Sequence, residues 1–345
     1  MKNTTSSNNH PDSTSRKSSS SLVDVLFNPL IGLLISSFLI LALFFTANRT
    51  SKRSSADSTS DTVTNGAIAS ISSAGRVYTE EDIVTDNYGD IALDAEHFPD
   101  DVFRKYVEHF DTDNNGILSA VERGKVFEIN LHDEGILTSH EVWEVENLEG
   151  LQYFPSLVKL DCSGTGEITL DVSALQNLEY LNCSMDGLYE LNVTHNPNLR
   201  KLYCSVNHIS TIDLSNNTKL THFYCISNDL TTLDMSNCPH LIELDFSQNE
   251  LTSIDLESNR ELRFLACVYN RLESLTMPRS TLLHYVDLTA NENLAEVDVS
   301  HNPILIALLK HGPRKGENAN TWECFDNGNM FLQASNTTEV YWAVG

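Results

Sequence analysis

The stretch "LRKLYCSVNHISTIDLSNNTK" (residues 199–219) decides the fold, because the 21 residues after it repeat its pattern. "LTHFYCISNDLTTLDMSNCPH" follows from Leu220 and "LIELDFSQNELTSIDLESNRE" from Leu241. Leu157, Leu178, Leu262 and Leu283 open the same frame at the same spacing. Within each unit, apolar residues recur at positions 1, 4, 6 and 11. That pattern predicts one short strand, a turn and a return arm. A unit of this size cannot bury its apolar face alone. Stacking such units makes one continuous core.

Written as L-x-x-L-x-C-x-x-N-x-L, the frame is the leucine-rich repeat signature, which predicts an α/β solenoid of horseshoe form. Position 6 is Cys162, Cys183, Cys204, Cys225 and Cys267, with Phe246 and Leu288 in the same column. Exchange with Phe and Leu marks an inward apolar slot. The short C-x-x-C spacing of a zinc site is absent. Neighbouring rungs are close enough for disulfides, but their side chains run parallel, so free buried thiols are expected. Cys238 and Cys324 fall outside this ladder and have no assigned role. Position 9 is Asn207, Asn228, Asn249, Asn270 and Asn291. A buried amide donates and accepts at once, so this column is expected to tie each turn to the next. An acidic column on the return arm, Asp171, Asp213, Asp234 and Asp255 with Asn192, is read as a solvated face rather than a cation ladder.

Ahead of the repeats stands "FDTDNNGILSAVE" (residues 110–122), which matches D-x-[DN]-x-[DN]-G-x₅-E throughout. The spacing wraps a chain around a hard cation. Asp111, Asp113 and Asn115 would offer side-chain oxygens, Ile117 its carbonyl, Ser119 a direct or water-mediated contact and Glu122 a bidentate carboxylate, with Gly116 at the sharp turn. Calcium is the expected ion. Val102, Phe103, Tyr106, Val107 and Phe110 predict an amphipathic entering helix, while Gly124 cuts the exiting one short. A second, degenerate loop starting at Asn130 would put Asn130 and His132 at ligand positions, and it is read as non-binding. Val126, Ile129, Leu131 and Ile136 instead fill the frame of a first, longer repeat. The predicted role of calcium is therefore to fasten an N-terminal cap rather than to drive a sensor.

The formal charge of −26 makes nucleic acid an unsuitable partner. Residues 1–21 read as a disordered polar tail. The uncharged run at 25–47 has 23 residues, enough to span a bilayer, and Phe45 is a poor −3 residue for signal cleavage. Residues 22–47 are thus expected to be an uncleaved transmembrane signal anchor, followed by a Ser/Thr-rich flexible linker at 48–77. Three basic residues lie on each side of the span, so charge leaves its orientation open. The remaining predicted boundaries are an EF-hand-like cap at 78–125, repeats at 126–309 and a β-rich C-terminal cap at 310–345.

The cysteine-bearing 21-residue frame resembles the internalin-type leucine-rich repeats of bacterial surface proteins. "FPDDVFRKYVEHFDTDNNGILSAVE" running toward "LEGLQYFPSLVKLDCS" resembles surface proteins in which one EF-hand-like segment precedes such repeats. The resemblance spans roughly residues 91–309. The chain has no L-P-x-T-G signal, and no ligand carries over. What the resemblance implies is an exported binding protein. The residues also suggest where binding would occur: positions 3, 5 and 7 should face the concave side. They bring Tyr180, Tyr203, His222 and Tyr224 together on neighbouring strands, with Phe264 and Tyr285 as a second pair, as at binding hot spots. No catalytic motif is found. The expected function is a monomeric, membrane-anchored, outward-facing recognition or adhesion module for a protein or glycan, with one structural calcium. A cytoplasm-facing scaffold on the same anchor is the alternative.

Overall fold

The computed structural model describes residues 76–133 and 135–306, and the backbone alone at 68–71, 307–309, 314–315, 321–326, 329–335 and 339–341. All of them belong to one unit, Asn65–Gly345. The tail, the expected transmembrane anchor at 22–47 and most of the linker lie outside the described residues. Among the described residues no helix is long and apolar enough to cross a membrane.

The N-terminal region holds β1 (Ile68–Ile71), β2 (Val77–Thr79), β3 (Ile91–Ala92), α1 (Asp101–Val107), β4 (Ile117–Leu118) and α2 (Ala120–Gly124). The solenoid follows with β5 (Glu128–Asn130), α3 (Ser139–Val142), β6 (Lys159–Asp161), β7 (Tyr180–Asn182), β8 (Lys201–Tyr203), β9 (His222–Tyr224) and β10 (Glu243–Asp245). It continues through β11 (Ser253–Asp255), β12 (Phe264–Ala266), β13 (Ser274–Thr276), β14 (Tyr285–Leu288), β15 (Glu296–Asp298) and α4 (Pro303–Leu309). The chain ends in β16 (Arg314–Lys315), β17 (Thr321–Asp326), β18 (Asn329–Ser335) and β19 (Glu339–Tyr341).

One sheet runs β5-β6-β7-β8-β9-β10-β12-β14, every pair parallel. Identical frame positions face one another, as in Lys201↔His222 and Leu202↔Phe223. The register is set by burial, because a one-residue slip would turn every apolar side chain to water. The strand centres Leu160, Leu181, Leu202, Phe223, Leu244, Leu265 and Val286 are at most 1% exposed. So are Cys162, Cys183, Cys204, Cys225, Phe246, Cys267 and Leu288. The six cysteines whose side chains are described are free and buried. Burial pushes the Cys204 thiol up to about 12, so the ladder stays protonated and acts as packing.

The asparagine column does what its chemistry suggests. Asn228 Nδ2 donates to the carbonyls of Cys204 at 2.9 Å and Cys225 at 3.2 Å, and its Oδ1 accepts from Ile209 N at 3.0 Å. The same geometry recurs at Asn207, Asn249, Asn270 and Asn291. One residue earlier the backbone turns left-handed, with φ of 55–65° at Met185, Val206, Ser227, Gln248, Tyr269 and Ala290. Left-handed L-residues cost roughly 1–2 kcal/mol each, so the amide bonds must hold a turn the local residues disfavour. Asn228→Leu should therefore cost about 2 kcal/mol, because the Ile209 N–H loses its acceptor while the Cys204 and Cys225 carbonyls keep only the Asn207 and Asn249 donors. Equilibrium denaturation checks this, and an unchanged midpoint would mean that the amide column does not stabilise the fold.

A second column lies on the return arm, where periodicity alone does not point to it. Asn196, Asn217, Asn259 and Asn302 are fully buried and donate Nδ2 to return-arm carbonyls, as Asn217 does to Val193 and Asn196 at 3.0 Å each. Cys238 stands in this column, its Sγ 3.8 Å from the Asn217 carbonyl, which gives that cysteine its place. The acidic column closes turns within its own arm, since Asp171, Asp213, Asp234 and Asp255 each accept from the N–H two residues on at 2.9 Å. Nearby, β11 pairs with β13 in parallel. At the C-terminal end, β18 adds to β14 in parallel and to β17 in antiparallel fashion.

At the other end, β1 falls inside the stretch read as linker and pairs antiparallel with β2. Tyr78 on β2 stacks on Phe127 with ring centroids 4.2 Å apart, covering the first rung. Helix α1 starts at Asp100, whose Oδ1 accepts from Val102 N and Phe103 N and whose Oδ2 accepts from Glu146 N at 2.7 Å. One side chain thus caps the helix and pins it to the long loop of the first repeat. Phe103, Tyr106 and Val107 enter the core.

Candidate functional site

On the outward face of the main sheet the five aromatic residues come together as two stacks, and His222 stands on the strand of Tyr224 outside both. Tyr180 and Tyr203 have centroids 5.4 Å apart, and Tyr203 and Tyr224 lie 5.2 Å apart with planes within 16°. Phe264 and Tyr285 stack at 4.5 Å and 5°. Parallel, in-register strands put like positions about 4.8 Å apart, which makes such stacking nearly automatic. Tyr180, Tyr203, His222, Phe264 and Tyr285 are half-buried. Tyr224 departs from the expected exposed aromatic: it is 7% exposed and its hydroxyl donates to Glu243. It supports the surface rather than forming it. His222 sits beside Thr221 at 2.8 Å and Glu243 at 3.8 Å, and burial holds its pKa below the usual value.

The charges on this face are unevenly matched. In the first rungs Lys159 lies over the Tyr180 ring and 3.8 Å from Glu128, and Lys201 stands on the next strand but one. In the later rungs the charged residues are Glu243, Asp245 and Asp287. Burial pushes Asp245 up to about 6 and raises Asp287 as well.

In the loop at 110–122, ligand oxygens of Asp111, Asp113 and Glu122 all lie within 4.8 Å of one another. Asp111 is 8% exposed and accepts from Gly116 N at 2.8 Å and Asn115 N at 3.2 Å. Asn115 Oδ1 accepts from Ile117 N, and left-handed Asn114 and Gly116 make the sharp turn. Glu122 caps Ser119 reciprocally and also accepts from Thr112 N and Oγ1 at 2.8 and 2.7 Å. Burial acts to raise its carboxyl, but the Thr112 and Ser119 hydrogen bonds outweigh it and hold it down at about 2. Three carboxylates drawn together, with Glu122 held ionised by its hydrogen bonds, fit a hard, oxygen-seeking cation. Asp111, Asp113, Asn115 and Glu122 would hold it, with Ile117 and Ser119 in the same turn. When bound, such an ion supplies neutralising charge and nothing catalytic.

Two features that the motif does not reveal give the loop its setting. The short strand β4 pairs antiparallel with β3, Ile91↔Leu118, so a single loop completes its own ribbon without a second loop. Beside Glu122, Arg123 is 1% exposed and bonds both Asp86 oxygens, at 2.6 and 3.0 Å. It also donates to the Tyr153 carbonyl at 2.6 Å and to the Gly89 carbonyl. Its guanidinium holds the Asp86 carboxyl below the usual range. The loop is thus wired to both the preceding segment and the first repeat.

No protein-family model matches the chain, and no curated protein matches it in sequence. Its structural neighbours are Listeria internalins and leucine-rich repeat proteins. The functional domain of InlJ from Listeria monocytogenes, described as including a cysteine ladder, is 21% identical with a TM-score of 0.35; the match covers 64% of this chain and 66% of that one. Internalin C2 from the same organism is 16% identical with a TM-score of 0.43, covering 64% of this chain and 91% of that one. The Leptospira interrogans leucine-rich repeat protein LIC12759 is 20% identical with a TM-score of 0.37, covering 55% and 60%. At these values the likenesses carry no function across.

Proposed function

We propose that the protein is a membrane-anchored recognition module that binds a protein or glycan on its concave face, outside the cell, with one structural calcium fastening its N-terminal cap. The half-buried Tyr180, Tyr203, Phe264 and Tyr285 carry the binding reading: four aromatic rings on one sheet face, backed by the buried Tyr224, are a large, rigid, low-entropy contact surface. The uncharged run at 25–47 supports the anchor. The carboxylate cluster at Asp111, Asp113 and Glu122 supports calcium, and loops of this kind in extracellular modules bind at about 10⁻⁴–10⁻³ M. Such an affinity suits an outside location. With calcium at 10 mM the linked stabilisation is about 1.4–2.7 kcal/mol.

One experiment tests side and metal together. Protease added to intact cells should remove the repeats, and chelation should accelerate cleavage within about 95–135 first. Protection until the cells are opened would favour the cytoplasm-facing scaffold. Cleavage unchanged by chelation would remove calcium from the cap.

A further inference from the structure

We propose that the later half of the concave face, from Glu243 to Asp287, docks a partner segment that presents arginine or lysine side chains. This rests on the concave-face reading above and names the chemistry of the ligand.

Register defines the surface. Asp245, Ala266 and Asp287 are like positions on β10, β12 and β14, so the two carboxylates stand about 10 Å apart across one small side chain. Ala266 is 5% exposed and forms the floor. Phe264 and Tyr285, stacked within 5° of parallel, stand on the same face one pleat away. A notch with an alanine floor, a carboxylate at either side and an aromatic stack alongside offers a cation both charge and a ring quadrupole.

Each carboxylate accepts from its own turn: Asp245 from Ser247 N at 2.9 Å, Asp287 from Thr289 N and Oγ1 at 3.0 and 2.7 Å. Among the described residues no Lys, Arg or His forms an ion pair with either. Their mutual influence is repulsive, since Asp287 acts to raise Asp245. The first rungs differ, because Lys159 and Lys201 already stand there. Charge complementarity therefore orients a partner, with its basic side chains over β10–β14.

The test uses the full chain and a fluorescein-labelled peptide of alternating glycine and arginine, followed by anisotropy at about 0.15 M salt. The peptide should bind, and its citrulline counterpart should not. Asp245→Asn with Asp287→Asn, which preserves shape, should weaken binding about tenfold. Asp213→Asn with Asp234→Asn, the same charge change on the return arm, should leave it unchanged. Equal weakening by both pairs, or no binding by the unaltered chain, overturns the proposal. Ala266→Trp, with folding checked by its melting temperature and Ala266→Leu as a milder version, separates the two readings. If it blocks the peptide while the paired Asn changes do not, the concave face binds but the carboxylates do not select the cation. If neither affects binding, the concave face is not the peptide's site.

Discussion

Asp186→Asn should make the protein more stable, by about 1.5 kcal/mol at pH 5 rising to about 4 kcal/mol at pH 8. Asp186 fills frame position 9 one repeat before Asn207, at the head of the amide column, and is fully buried. Its Oδ1 accepts from Thr165 N at 3.0 Å, and Oδ2 lies 3.5 Å from Cys162 Sγ. Where its neighbours in the column donate Nδ2 to the carbonyls 24 and 3 residues back, a carboxylate has no proton to give. Burial accordingly pushes its carboxyl up to about 7 from 3.8, with Asp161 adding to the rise. The folded chain then holds a proton that the unfolded chain releases. Stability from this group is complete below pH 3.8, falls as pH rises from there, and is lost above about pH 7. Asparagine restores the donor at every pH. Denaturation of both proteins from pH 5 to 8 measures the gap between them. Asp245 and Asp287 leave a residual slope of the same sign in both. A gap that does not widen with pH would show that Asp186 is not the protonated member of the column.

Residues such as Leu202 and Cys204 were legible because a fixed period exposes any position whose environment repeats. The amide column from Asn207 to Asn291 was legible for the same reason. Asp186 was not, because a frame rewards sameness and an odd residue at its head looks like drift. The return-arm column was hidden differently. Cys238 and Ser280 interrupt it, and the last repeat carries one extra residue, so Asn302 falls a step out of phase with Asn259. In the loop at 110–122 the motif carried Asp111, Asp113 and Glu122, since its fixed spacing names the carboxylates that the fold gathers. The pairing of β3 with β4 and the reach of Arg123 depend on tertiary contacts 25–37 residues away, which no local pattern encodes. Tyr224 shows the limit of strand alternation: position 5 faces outward, yet a neighbouring stack and Glu243 bury it.

Arg123→Met should cost about 3–5 kcal/mol and weaken calcium binding although Arg123 is no ligand. Four hydrogen bonds converge from its guanidinium on Asp86, Gly89 and Tyr153, at 1% exposure. Methionine fills similar space and removes them all, leaving the Asp86 carboxylate and two carbonyls without their donor. The loss is not spread evenly. Gly89 precedes the β3 strand that pairs with β4, and β4 is part of the loop that gathers Asp111, Asp113 and Glu122. Loosening that strand frees the carboxylates to move apart, which relieves their repulsion and removes the preorganised site. Calcium binding must then supply the free energy that draws them together again. Because the Arg123 Nε finds no acceptor among the described residues, the net value of the pair is smaller than the cost of breaking it. Asp86→Leu combined with Arg123→Met should therefore recover part of the lost stability, because no buried charge is then left alone. The double variant should not regain calcium affinity, since the Gly89 and Tyr153 carbonyls still lack Arg123. Titration calorimetry with calcium and denaturation of the two variants separate these effects. Equal calcium affinity in Arg123→Met and the unaltered chain would show that the loop is organised by its own hydrogen bonds alone.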